Sequence, residues 1–124
     1  MGTQEQHLGQ ARHNEGFLGT FDIDSTPYLD WAVTAIFYAA LHYIRALGAR
    51  SLFTNISSYA DMDRVFSWLE VFRRNSGIYG DYRQLKDDSR AARYDMVCLS
   101  PPDVRELRDE ELRRIREFVL ANLP

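Results

Sequence analysis

Asp30 to Leu47 reads DWAVTAIFYAALHYIRAL, and this stretch constrains the fold more than any other. It holds no proline and no glycine, and Asp30 and Arg45 are its only firmly charged residues. Turned through roughly 100° per residue, it is apolar on nearly every side. That pattern predicts a helix enclosed by a bundle rather than one lying on its surface. Ala32, Ala35, Ala39 and Ala46 fall on one narrow face, where small side chains let a neighbouring helix approach. Trp31, Thr34, Tyr38, His42 and Arg45 fall on another arc. Polar groups on an enclosed helix need hydrogen-bond partners.

The rest of the chain supplies helices to enclose it. Thr3 to Phe21 is amphipathic, with Leu8, Ala11, Leu18 and Phe21 on one side, though Gly9, Gly16 and Gly19 weaken it. Gly48 is a natural stop for the central helix. A third helix is expected from a Ser57 or Ser58 cap to about Arg74, with Asp61 in its first turn. A fourth runs from about Ile78 to Ala92. Pro101 and Pro102 read as the end of the irregular stretch after it, and Asp103 as the cap of the last helix. No segment alternates with period two for long enough to argue a strand. The expected fold is an all-α, up-and-down bundle of about five helices in one domain spanning residues 1–124.

Composition narrows the function classes. The chain has 124 residues, a net charge of −3 and a hydrophobic fraction of 45%. Generic wrapping of DNA does not fit that charge, although a local basic patch does. Cys98 is the only cysteine, so neither an internal disulfide nor a cysteine-based zinc site is available within one chain. The polar opening MGTQEQHLGQARHNE lacks the apolar core of a signal peptide. The central helix approaches the lower limit for a membrane span. Its Tyr38, His42 and Arg45 instead favour a core helix, and the expected location is the cytoplasm, with no membrane contact.

Three groups bear on chemistry. Tyr38 and His42 share a helix face, and His42 reads either as a core histidine held by a hydrogen bond or as a general base. Tyr82 to Asp95, YRQLKDDSRAARYD, places Arg83, Lys86, Arg90 and Arg93 within little more than three turns, beside Tyr82 and Tyr94. Arginine forks bind phosphate and tyrosine rings stack on bases. Asp87, Asp88 and Asp95 stand close enough to neutralise those arginines, which leaves a solvated helix face as the competing reading. The arginines from Arg105 to Arg116 alternate with carboxylates and read as a salt-bridged outer face, and Cys98 as a small buried hydrophobe. Neither a metal site nor a cofactor is expected.

Several of these segments together resemble the HEPN superfamily. They are FYAALHYIRAL on the second helix, Y-x-x-L-x-x-x-S-x-x-A-R-Y-D from Tyr82 to Asp95, and HN-x-x-FL from His13 to Leu18. The amphipathic helix after SPPDV completes the pattern. The resemblance covers most of the chain. It implies a compact helical bundle, often a homodimer, acting beside a nucleotidyltransferase-like or other protein partner in toxin–antitoxin or other prokaryotic defence systems. Many members are metal-independent ribonucleases with an arginine followed, four to six residues later, by a histidine. This chain keeps Arg90 there but follows it with Arg93 and Tyr94. Tyrosine, with an ordinary pKa near ~10, is a poor base at neutral pH. The resemblance therefore implies a non-catalytic member that binds RNA, nucleotide or protein, with Arg83, Arg90, Arg93, Tyr94 and Tyr38 near the site. A structural network of Tyr38, His42 and Asp95 is expected, with Asp95 or Tyr94 bonding to Tyr38, His42 or Arg45. The alternative is a ribonuclease with a rebuilt site using His42 and Arg90 or Arg93.

Overall fold

The computed structural model describes residues 2–51 and 59–123, and among these the side chains outside 50–61. The expected Ser57 or Ser58 cap and the Asp61 side chain lie outside the described residues. The described residues form helices joined by short connections, with no strand among them. Helix α1 spans Gln4–Leu18, α2 spans Leu29–Ser51, α3 spans Tyr59–Trp68, α4 spans Glu70–Arg73 and α5 spans Ser76–Tyr94. A final rod comprises α6 (Pro101–Glu106), a π-helical stretch (Leu107–Leu112) and α7 (Arg113–Asn122).

Cross-helix contacts fix the directions. His7, near the start of α1, meets His42, late in α2. The connection joins the end of α1 to the start of α2, so the two run antiparallel. Asp81 on α5 meets Arg114, while Asp88 and Leu107, further along α5 and earlier in the rod, line one cavity. Helix α5 and the rod are therefore antiparallel too. The start of α2 likewise lies beside the end of α5, at the cavity shared by Leu29 and Ala92. The result is an up–down–up–down bundle, with α3 and α4 inserted between its second and third long helices.

Helix α2 is the middle of the bundle, as its composition demands. Ala32, Val33, Ile36, Phe37, Ala39, Ala40, Ile44 and Ala46 are wholly enclosed. Leu29–Ala49 is long and apolar enough to cross a membrane, but 78% of its 18-residue apolar window is buried inside the bundle. The alanine face allows close packing, where a larger residue would force the helices apart. Gly48 does not stop the helix. It is buried within α2, which continues to Ser51, because tertiary packing outweighs glycine's modest helix penalty.

The third helix is broken at Leu69, whose backbone is extended (φ −80°, ψ 121°). In one continuous helix Phe66 and Phe72, six residues apart, would point roughly 120° away from each other. The break brings their rings to 4.9 Å and lets Phe66 also pack on Tyr79 and Tyr82, at 4.9 and 5.1 Å. Aromatic packing of this kind outweighs one interrupted helical turn.

The two prolines open the last rod rather than closing the segment before it. Pro101 and Pro102 occupy its first two positions, where a missing N–H costs nothing. Ser100 is the cap and Asp103 the third residue of a reciprocal capping box: Asp103 N–H donates to Ser100 Oγ at 3.3 Å, and Ser100 N–H to Asp103 Oδ2 at 3.1 Å. Hydrogen bonding by Ser100, through its side chain first and its backbone N–H second, holds the Asp103 carboxyl below its usual range. Ser100→Ala is expected to cost about 1 kcal/mol in chemical denaturation, with the fold retained. Cys98, expected inside, is exposed, because the chain leaves α5 through Met96 in the left-handed region (φ 53°) and runs along the surface to the cap.

Candidate functional site

The polar arc of α2 finds its partners in three places. Thr34 Oγ1 donates back to the Asp30 carbonyl in its own helix at 2.7 Å. Tyr38 accepts from Arg93 Nη1 of α5 at 3.3 Å. His42 pairs with His7 of α1, Nδ1 to Nδ1 at 3.0 Å, with the rings stacked at 5.3 Å. A bond between those two atoms requires one imidazole to donate and the other to accept, so at least one Nδ1 carries no proton. Burial, His7 and Arg45 together push the His42 pKa down to about 4. His7 is lowered as well, by burial first and then by Arg45. Both rings are thus neutral at pH 7. Gly2 lies against the far edge of His7, where an added Cβ would stand 2.2 Å from Nε2, so a side chain there would require the His7 ring to shift.

The expected partnership between the arc and the fourth helix exists, but through a different residue. Arg93 makes it, whereas Tyr94 and Asp95 are both exposed. The cause is the end of α5: its C-cap is Asp95, which puts that residue beyond the last turn facing α2. His7 gave no signal in the sequence, because nothing local marks a contact between residues 35 positions apart.

Arg93 is the best-held cation of this surface. Its Nε donates to the Ser89 carbonyl at 3.2 Å. Its guanidinium carbon lies 5.6 Å from the Tyr38 ring centre and 5.0 Å from that of Tyr94. Two aromatic faces therefore flank the positive charge, an arrangement that orients a guanidinium without neutralising it. Among the described residues, neither Arg93 nor the exposed Arg90 has a carboxylate at ion-pair distance. The aspartates expected to neutralise them are engaged or turned elsewhere: Asp88 takes the Gln84 amide at 2.8 Å, and Asp87 lies in the field of Arg83. Arg83 itself donates to Tyr79 Oη at 3.3 Å, one turn back on α5.

The last rod shows the contrast. Arg105 pairs with Asp24, Arg113 with Glu110 and Glu117, Arg114 with Asp81 and Glu110, and Arg116 with Glu15. This is the salt-bridged face expected from the alternation of charges. Trp31 on α2, Tyr28 just before it and Tyr94 are each more than half exposed. No three metal-ligating side chains converge among the described residues.

No known family model, curated protein or solved structure matches the chain.

Proposed function

We propose that this protein is a non-catalytic, HEPN-like helical module that binds RNA or nucleotide phosphate through Arg90 and Arg93, with Tyr38 and Tyr94 flanking the second arginine. The observation that carries this reading is the electrostatic state of α5: Arg90 and Arg93 have no carboxylate partner among the described residues, although three aspartates stand nearby in sequence. An arginine clamped by rings offers a fixed fork to a phosphate, and the exposed Tyr94 and Trp31 offer faces to unpaired bases.

The same reading includes a cytoplasmic homodimer and a protein partner such as a nucleotidyltransferase. Exposed Tyr28, Trp31 and Trp68 support an interface, since aromatic residues are enriched at such surfaces. The ribonuclease alternative, with His42 as base, has less support. His42 bonds to His7 across the α1–α2 seam, and a group with a pKa of about 4 is a weak base.

The test is the salt dependence of binding to a labelled single-stranded RNA. Two phosphate contacts should give a slope of about −1.4 in log K against log salt, at roughly 0.7 per phosphate. Absent or salt-independent binding would remove the proposal.

A further inference from the structure

A cationic cavity lies away from the Arg93 strip, between the end of α1 with its following turn and the last rod. Its volume is about 610 Å³. Leu18, Phe21 and Leu112 give it an apolar wall, and Arg108, Arg113 and Arg116 give it a charged one. Glu15 and Asp109 are the carboxylates in that lining, so the charge there is three positive against two negative.

The charged wall is fixed from inside the protein. Tyr43, fully buried on α2, donates its hydroxyl to Glu15 Oε2 at 2.5 Å. Burial and Glu15 push the Tyr43 hydroxyl well above its usual pKa, so it stays a donor. The other Glu15 oxygen accepts from Arg116 Nη1 at 2.6 Å. Arg116 is thereby oriented through Glu15 by the core, while its Nε and Nη2 have no partner among the described residues. Among the described residues, Arg108 is held only by its sequence neighbour Asp109, through an exposed two-bond pair at 2.7 and 3.1 Å.

The π-helical stretch supplies part of this wall, since Arg108, Asp109 and Leu112 belong to it. Such turns are rare within α-helices and occur frequently at functional sites. Nothing in LRDEEL compels one: it contains neither proline nor glycine.

We infer that this cavity binds a small organic monoanion with an apolar body. Its acid group would sit on the open edge of Arg116 and on Arg108, and its body against Phe21, Leu18 and Leu112. The site is independent of Arg90 and Arg93.

The probe is 1-anilinonaphthalene-8-sulfonate, an aromatic sulfonate whose fluorescence reports binding to the full chain. Wild type should bind one equivalent saturably. Arg116→Gln should weaken binding about fivefold, the scale of one partly screened charge contact. Asp109→Asn, at an exposed position, should tighten it by about the same factor, because it releases Arg108 without touching the core. Arg90→Ala and Arg93→Ala should leave it unchanged, which separates this site from the phosphate-binding reading. Opposite shifts for Arg116→Gln and Asp109→Asn in folded protein support the inference. Any other result overturns it, including no saturable binding, a shared direction, or dependence on Arg90 or Arg93.

Discussion

Replacing both Arg90 and Arg93 by alanine is expected to weaken binding of single-stranded RNA by about 10- to 100-fold and to remove most of its salt dependence. The size follows from two charge-assisted contacts in a setting still open to solvent, where each is worth well under its buried value. The double variant should remain folded. Arg90 is exposed, and Arg93 contributes one hydrogen bond to Tyr38 and one to the Ser89 carbonyl at the edge of the bundle. Arg93→Lys is the informative intermediate. It keeps the charge but loses the planar fork between the Tyr38 and Tyr94 rings, so its affinity should fall between wild type and Arg93→Ala. Fluorescence anisotropy at two salt concentrations measures both effects. Unchanged affinity in the double variant would place the RNA contact elsewhere or remove it.

The second large effect is acid destabilisation at the α1–α2 seam. In the unfolded chain a histidine takes up its proton near the ordinary value of 6.5, whereas folded His42 resists it until about 4. Between those values the unfolded state binds more protons, so stability falls as pH falls from 6.5 through 4. The contribution is present in full above 6.5. His7, lowered in the same direction by burial and Arg45, adds to the slope. Because His42 is only half-buried, solvent screening reduces the effect to about 1–2 kcal/mol. Urea denaturation at pH 7, 5.5 and 4 checks it, and His42→Gln should flatten the profile over that range. The carboxylates held low, Asp103 and Asp109, titrate further down and do not produce this slope. A wild-type profile as flat as that of His42→Gln would show that the two imidazoles are not paired in the native state.

Most of the fold was legible because it rests on periodicity. The enclosure of α2 followed from a run of eighteen residues with almost no charge, and the salt-bridged last rod followed from alternating signs. What escaped were features decided by partners distant in sequence. Gly48 and Leu69 behave against local propensity because burial and the Phe66–Phe72 contact override it. The proline pair, read as the end of the stretch before it, instead opens the last rod, where the Ser100–Asp103 box caps it. In the candidate site, Arg93 and Tyr94 stood out as part of a basic, tyrosine-flanked helix segment, and Tyr38 was placed beside them by the resemblance. Their arrangement could not, since Arg93 turns toward Tyr38 whereas the aspartates near it in sequence do not reach it. His7 was invisible for the same reason: its partner is on another helix.

Binding without cleavage is the central claim, and one incubation tests it. Labelled single-stranded RNA is mixed with wild-type protein in EDTA at pH 7, beside Arg90→Ala and His42→Ala. Retention and integrity of the RNA are both read. At low salt the account predicts that wild type retains the RNA and leaves it intact. It predicts that Arg90→Ala retains less and that His42→Ala, if folded, retains as much as wild type. Cleavage by wild type that both substitutions abolish would contradict it and establish a ribonuclease in which His42 and Arg90 act together.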